Sequence, residues 1–331
     1  MRPRSTSPNG GAETTASSAA QAAADDIRGI VVVRPCNSAA SWYRTRQQSR
    51  RDQLDDPLSY QLASVSKQFT AYMCMHLLQD LGLSVDAEIS TVSDLDGTFR
   101  DLLTHRAPFP DIAHQYARQR WSQTGDATKS SHVLEHIEGE GLGQSTPSFG
   151  SYGNTSYVVL AALLERLDNS HYDEIFERLV RAPLQFSAQT RCWDTSVTEP
   201  FPERAVETSR LRKERTLPLY DGLRGDGAVF ATGPDLQTWV TMWGDARSED
   251  NALLSGSFTP EKDFAGTGDV QFGLGWILRG DGAAWHDGSW LSSRSLHVNF
   301  PSGAGMLMAT NYPTSTLFET ATKLRPHIEP R

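Results

Sequence analysis

The sequence has few cysteines, no long apolar run and no excess of positive charge. Three of its 331 residues are cysteine (Cys36, Cys74 and Cys192), and their spacing is not that of a paired motif. An odd count without paired spacing favours reduced thiols over a disulfide framework. No apolar stretch approaches the ~18 residues that a membrane-spanning helix needs, so we expect no membrane partner.

The charge balance also excludes a class of partner. There are 31 Lys and Arg against 40 Asp and Glu, a formal net charge of −9. An acidic chain without a block of basic residues argues against nucleic acid as a partner. One pair, His132 and His136, has the i, i+4 spacing of metal ligands. No third ligand is evident, so we interpret the pair as solvated helix surface and expect no metal and no cofactor.

The first residues, MRPRSTSPNGGAETTASSAAQAAADD, are small and polar. They lack the ~7–15 apolar residues of a secretory signal. Their composition predicts a disordered tail over residues 1–27. Without an export signal, we expect the protein to be cytoplasmic.

The remaining chain, 28–331, is long enough for one domain with a sizeable core. Short apolar runs separated by Gly, Pro, Asp and Ser turns occur at both of its ends, which predicts an antiparallel sheet built from N- and C-terminal segments. We therefore predict an α+β fold with an α/β lobe from about 28–63 and 223–331. The predicted strands are 30–33, 40–46, 272–278, 283–290, 293–300 and 305–311, and a last helix is predicted over 316–325.

The middle of the chain, about 64–222, is predicted to be a mainly helical lobe. Apolar residues recur at helical spacing after Ser64 and again in TSYVVLAALLERLD, where Thr155 is a plausible N-cap. A further helix is expected over 172–181. Residues 111–150 are polar and irregular, apart from a short helix near 131–137.

One helical turn brings together a serine and a lysine, a pair suited to nucleophilic chemistry. Ser64 and Lys67 are three residues apart, so they lie on one face of a helix and can touch. A serine hydroxyl is a weak nucleophile until a neighbouring group takes its proton. Alone, Ser-x-x-Lys is a common chance match, and most copies are solvated surface.

Further strings along the chain make the match specific. Ser64-x-x-Lys67 is followed by Tyr152-x-Asn154 and His286-x-Gly288. Together with LASVSKQFTA, DLLTHRAPFPD, YGNTSYVVLAALLERL, GDGAVFATGPDLQTW, FGLGW and WHDGSW, they resemble the serine β-lactamase and penicillin-binding-protein superfamily. The similarity is greatest to the branch of class C β-lactamases, D-aminopeptidases and esterases, and it covers residues 28 to 325.

The resemblance implies a role for each motif residue. Ser64 would form an acyl-enzyme, and either Lys67 or Tyr152 would take its proton. Asn154 would orient Lys67 and the substrate amide. The alternative interpretation makes Tyr152 and Asn154 ordinary loop residues.

The third motif would line the site on a strand. Gly288 would allow close approach of substrate, and the backbone N–H groups of Ser64 and Ser289 would form an oxyanion hole. His286 replaces the lysine of many relatives, which weakens recognition of a carboxylate by a permanent cation; a buried structural histidine is the alternative. Nearby Trp276, Trp285 and Trp290 would border an acyl pocket or belong to the sheet core.

These implications favour a cytosolic serine hydrolase or transacylase. Its partners would be a small ester or amide as acyl donor and, for transfer, an amine or alcohol as acceptor, in natural-product biosynthesis for example. A β-lactamase or DD-peptidase, which needs export, is a weaker alternative. A non-catalytic binding protein that keeps the fold is the alternative from another class.

Overall fold

The structure is a computed structural model. It describes residues 10–46, 59–144, 152–192, 222–247, 252–259, 271–290, 293–312 and 316–329. All statements about structure below refer to these residues.

The main sheet joins the two ends of the chain, as predicted. Its strands are antiparallel, in the order β2-β1-β10-β9-β8-β7-β6. The predicted run 272–278 forms two short strands because a turn at Gly275 divides it. The bounds are β1 Ile30–Arg34, β2 Ser41–Arg44, β6 Gln271–Phe272, β7 Ile277–Leu278, β8 Ala284–Trp290, β9 Ser293–Asn299 and β10 Gly305–Thr310.

Strand β1 shows why this sheet is covered on both faces. Ile30 and Val32 point into one hydrophobic cluster, whereas Val31 and Val33 point into another. A strand that is apolar on both sides needs a packed layer on each side. Helix α8 (Gly233–Asp245) packs against one face, and helices α1 (Gly10–Ile27) and α10 (Leu317–Ile328) pack against the other.

Helix α1 corrects the prediction of a disordered tail over 1–27. Residues Gly10–Ile27 form a helix, and residues 1–9 lie outside the described part. Ala16, Ala20, Ala24 and Ile27 are buried against the sheet at helical spacing. Small side chains carry little hydrophobicity in the sequence, yet they let a helix approach a sheet closely. The composition of residues 1–27 therefore indicated too little apolar surface for a folded segment.

Along the sequence, most helices lie between strands β2 and β6 of the main sheet. Most predicted helices are present, but α4 was missed inside the region predicted to be irregular. Only its Ala113 and Ala117 are fully buried, so its apolar periodicity was too weak to recognise. The bounds are α2 Ser66–Asp80, α3 Phe99–Leu103, α4 Ala113–Thr124, α5 Ser130–Gly139, α6 Thr155–Asp168, α7 Tyr172–Phe176 and α9 Ala252–Ser255, and a π-helical stretch, Glu177–Arg181, follows α7.

A second, three-stranded sheet leads into the motif serine. Its strands are β3 (Ser59–Gln61), β5 (Val229–Thr232) and β4 (Arg191–Cys192), in that order. Strand β3 continues directly into a 3-10 turn, Ala63–Val65, and then into α2. Among helices in the described ranges, none combines the length and apolar character needed to cross a membrane.

Burial on α1 gives a stability prediction. Ala20 is fully buried, whereas Ala22 on the same helix is exposed. Ala20→Glu should lower the free energy of unfolding by roughly 2 kcal/mol or more, because an unpaired charge would be buried. Ala22→Glu is the matched control and should change it by less than about 0.5 kcal/mol. Urea unfolding followed by circular dichroism measures both, and equal effects would contradict the packing of α1.

Candidate active site

Ser64 lies at the start of the α2 segment and borders an open cleft. It is the middle residue of the 3-10 turn between β3 and α2, and its side chain is half-buried. The preceding Ala63 has a φ of 46°, a left-handed conformation that is uncommon for a residue other than glycine. The cleft has a volume of about 190 Å³ and is lined by Ala63, Ser64, His114, Asn154, Asp226, Gly227, Ser289 and Trp290.

Lys67 lies behind Ser64 and is completely buried. Its amine donates hydrogen bonds to Ser64 Oγ at 3.1 Å, to Asn154 Oδ1 at 2.8 Å and to the backbone oxygen of Asp226 at 3.0 Å. Three acceptors match the three N–H groups of an ammonium. The structure thus brings together the lysine, the serine and the asparagine of two motifs that are separated by more than 80 residues of sequence.

Helix α2 also holds the segment that contains Asp226. Thr70 Oγ1 donates to the backbone oxygen of Gly225 at 2.7 Å, and the backbone N–H of Val229 donates to Ser66 Oγ at 3.0 Å. These bonds flank the one from Lys67. One face of α2 therefore fixes residues 225–229 beside the nucleophile.

Tyr152 lies on the other side of the lysine. Its ring centroid is 4.8 Å from Lys67 Nζ, and 37% of the residue is exposed. The ring packs against the buried His105 at 4.6 Å. His105 Nδ1 in turn lies 3.2 Å from the backbone nitrogen of Gly153. Burial first, and then the charge of Lys67, keeps the pKa of His105 well below its usual value, so this ring is neutral.

The predicted N-cap at Thr155 is wrong. The N-cap residue of α6 is Asn154, and its side chain binds Lys67 instead of the helix. Asp111 supplies the acceptor, because its Oδ1 receives hydrogen bonds from the Thr155 backbone N–H at 2.8 Å and from the Thr155 hydroxyl at 2.7 Å. A carboxylate from another segment therefore replaces the local cap.

The third motif lies on β8. Gly288 contacts the turn before Ser64 so closely that an added Cβ would be 2.3 Å from both Leu62 O and Ser295 Oγ. Ser289 borders the cleft together with Ser64. The oxyanion role of their backbone N–H groups stays a prediction.

His286 on the same strand is a neutral, buried residue. Burial, with a smaller effect from the charge of Lys67, lowers its pKa to about 3. Its Nδ1 lies 2.7 Å from the backbone oxygen of Asp287. His297 is opposite His286 on β9, and burial lowers its pKa to about 3 as well. His286 therefore supplies no cation to the site.

The three tryptophans near this motif have different positions. Trp290 lines the cleft. Trp276 is buried in the core against Trp243, and Trp285 is half-buried against Phe318. One of the three thus borders the cleft beside Ser64.

Two residues of the cleft were missed by the sequence analysis. His114 Nε2 lies 2.8 Å from Asp226 Oδ2, although the two residues are 112 positions apart. Burial lowers the pKa of His114, but the charge and hydrogen bond of Asp226 outweigh burial, so that pKa lies above its usual value. Burial likewise opposes ionisation of Asp226, yet His114 and Lys67 hold its pKa below the usual value. No local sequence signal marks such a pair.

The histidine pair considered for a metal has other contacts. Arg120 Nε and the backbone N–H of Lys129 both donate to His132 Nδ1. His136 stacks on Tyr116 with ring centroids 4.4 Å apart. In the ranges that the structure describes, no group of three or more His, Cys, Asp or Glu side chains is arranged to hold a metal ion. The three cysteines are free thiols.

Comparison with known proteins places this geometry in context. The Beta-lactamase family model matches residues 20–326. Penicillin-binding protein 4* of Bacillus subtilis (strain 168) is 23% identical over 265 residues, which is 73% of this chain and 58% of that protein. The chain thus spans well under two thirds of the length of this curated relative.

Solved structures share the fold. A penicillin-binding protein from Bacillus halodurans has a TM-score of 0.72 at 14% identity, covering 94% of this chain and 98% of the other. D-amino acid amidase from Ochrobactrum anthropi SV3, complexed with L-phenylalanine, has a TM-score of 0.71 at 20% identity, covering 95% of this chain and 98% of the other. At these identities the likeness establishes the fold.

The close approach at Gly288 predicts the effect of adding a methyl group. Gly288→Ala should push β8 away from the Ser64 turn and slow acylation of Ser64 about 10- to 100-fold, since small misplacements are costly in catalysis. Gly280→Ala is the control, because a Cβ there meets nothing within 4 Å. Labelling kinetics with a fluorophosphonate probe measure the change. A Gly288→Ala protein that labels as fast as Gly280→Ala would contradict the tight contact.

The buried histidines predict loss of stability in acid. A histidine with a folded pKa near 3 binds its proton in the unfolded chain at about 6.5. Above pH ~6.5 such a histidine is neutral in both states and does not lower the free energy of unfolding. As pH falls from there toward 3, only the unfolded chain binds the proton, so the free energy of unfolding decreases by about 1.4 kcal/mol per pH unit for each histidine. His297→Gln should reduce this slope by about 1.4 kcal/mol per pH unit, which is the effect of one proton. Urea unfolding between pH ~4 and 6 measures the change. The exposed His327→Gln is the control; equal slopes in the two variants would refute the assignment.

Proposed function

Because the chain belongs to the Beta-lactamase family, we propose that it is a serine hydrolase that cleaves a small amide or ester through an acyl-enzyme on Ser64. The observation that carries the proposal is the 3.1 Å hydrogen bond between Lys67 Nζ and Ser64 Oγ at the edge of an open cleft. A buried lysine beside a reachable serine is a costly arrangement for structure alone. The same arrangement is effective for stabilising the alkoxide that forms when Ser64 loses its proton.

The hydrogen bonds of Lys67 support a division of roles. An amine that donates to three acceptors has no lone pair with which to take the proton of Ser64. In the proposed mechanism Lys67 is the ammonium that stabilises charge on Ser64 Oγ. Tyr152, whose ring lies 4.8 Å from that ammonium, takes the proton and later returns it to the leaving group.

The charge and volume of the cleft indicate which substrates it suits. His286 is neutral and buried, so it offers no permanent cation to a substrate carboxylate. The cleft holds about 190 Å³, a volume suited to a small acyl group. The D-amino acid amidase with the same fold supports a small amide as the first substrate to test. Cytoplasmic location, a role in natural-product biosynthesis and acyl transfer to an amine or alcohol stay predictions.

Acylation of Ser64 is the decisive test. The protein should hydrolyse p-nitrophenyl acetate, and mass spectrometry of the intact protein should show one fluorophosphonate adduct on Ser64. Ser64→Ala should lose the adduct and at least ~10³-fold in turnover, whereas the exposed Ser84→Ala should retain both. Lys67→Met should lower the acylation rate by a similar factor. Absence of any adduct on the wild-type protein would favour a non-catalytic binding protein.

A panel of acyl donors then separates the activities. D-Phenylalanine amide, its L-enantiomer, benzylpenicillin and simple esters are compared by kcat/KM. Addition of a primary amine tests for transfer, because an amide product would then accumulate beside the free acid. Benzylpenicillin as the best substrate would overturn the preference for a small amide or ester.

A further inference from the structure

Two helices that carry residues of the site begin side by side and cap each other. Ile112 is the N-cap residue of α4, Ala113 is its first residue, and Thr155 is the first residue of α6. The Thr155 hydroxyl accepts hydrogen bonds from the backbone N–H groups of Ile112 at 2.7 Å and of Ala113 at 2.9 Å. The Thr155 hydroxyl and backbone N–H both donate to Asp111 Oδ1, at 2.7 and 2.8 Å. Each helix start therefore receives its cap from the other segment.

This hydroxyl uses its full hydrogen-bonding capacity. A hydroxyl offers one hydrogen and two lone pairs. In Thr155 the hydrogen goes to Asp111, and the lone pairs go to the two N–H groups at the start of α4. Thr155 is only 1% exposed, so it is shielded from bulk water. Removing the hydroxyl would leave two backbone N–H groups without their acceptor, which is costly where water has little access.

Both helix starts support the ammonium of Lys67. Asn154 directly precedes Thr155, and its Oδ1 accepts from Lys67 at 2.8 Å. His114 is the second residue of α4, and its Nε2 lies 2.8 Å from Oδ2 of Asp226. The backbone oxygen of Asp226 accepts from Lys67 at 3.0 Å. Two of the three acceptors of the lysine are thus held by chain segments that meet at the Thr155 hydroxyl.

We propose that Thr155, held by Asp111, is a positioning residue for the acylation of Ser64. The inference rests on the proposed acyl-enzyme function. Neither Thr155 nor Asp111 belongs to the lining of the cleft that Ser64 borders, so both act through the groups that they hold. The hydroxyl fixes the start of α6 against the start of α4 and thereby sets two acceptors of Lys67. A shift of those acceptors would move the ammonium away from Ser64 Oγ, which now lies 3.1 Å from it.

Stopped-flow kinetics with p-nitrophenyl acetate test this role. Thr155→Val keeps the shape of the side chain and removes its hydroxyl, and the maximal rate of the p-nitrophenol burst should fall about 10- to 100-fold. The ester concentration that gives half of this rate should change less than about 3-fold, because the lining of the cleft is intact. Thr155→Ser restores the hydroxyl and should acylate within about 3-fold of the wild-type rate. A merely structural role would lower the burst amplitude, which reports the folded fraction, and leave the burst rate unchanged.

Thr128→Val is the matched control. Thr128 is as buried as Thr155, but its hydroxyl has no hydrogen-bond partner among the described residues. The same substitution there removes a hydroxyl without breaking a hydrogen bond, so the burst should match that of the wild-type protein. A Thr155→Val protein that acylates as fast as Thr128→Val would overturn the proposal.

A double-mutant cycle shows whether the effect passes through the lysine acceptor next to Thr155. Asn154→Ala removes that acceptor and should itself slow the burst. If the hydroxyl acts by holding Asn154, the loss of rate in the double variant should be clearly smaller than the product of the two single losses. A loss equal to the product would mean that the two residues act independently, which would overturn the proposal.

The outcomes distinguish this inference from the proposed function. A wild-type protein without a burst or an adduct on Ser64 refutes the acyl-enzyme itself. A normal wild-type burst together with an unchanged rate in Thr155→Val refutes only the role of Thr155. Should Thr155→Val not fold, the exposed Asp111 decides. Asp111→Asn keeps an oxygen that can accept and should keep the burst rate, whereas Asp111→Ala should lower it about 10-fold. Equal burst rates in these two variants would overturn the proposal.

Discussion

A charged amine without access to water is the constraint around which this protein is built. Lys67 is fully buried, and removing an ion from water costs several kcal/mol unless its hydrogens find acceptors. Here the acceptors come from Ser64, Asn154 and Asp226, which belong to three distant segments. The amine is therefore satisfied only when those segments are assembled, so the same contacts stabilise the fold and create the site.

The hydrogen bonds that Lys67 donates affect what the residues that accept them can bind. Asn154 gives its side-chain oxygen to Lys67 although it occupies the N-cap of α6. The helix would lack a cap if Asp111 did not accept from Thr155. On the other side, the backbone of Asp226 binds the lysine while its side chain holds His114. One charged group thus connects Ser64 to the pair of His114 and Asp226.

The sequence predicted the elements whose signal is local. Alternating or continuous apolar runs with turn residues identified the strands of the main sheet, and helical periodicity identified α2 and α6. The prediction failed for α1 and α4, where alanines form the buried stripe. Alanine buries little surface per residue, so composition and periodicity both remain weak. The resemblance of ordered short segments indicated the family, and the family model confirmed it.

What the sequence by itself determined is the family and the local pairing of Ser64 with Lys67. Ser64 and Lys67 face each other because three residues make nearly one helical turn, a relation that is local and therefore readable. The convergence of Asn154, His114 and Asp226 on that turn depends on how helices and sheet pack over long separations. The protonation states of the histidines depend on the same packing, because burial and nearby charge exist only in the folded chain. Tertiary structure alone decided which histidine became a neutral core residue and which one reached the cleft.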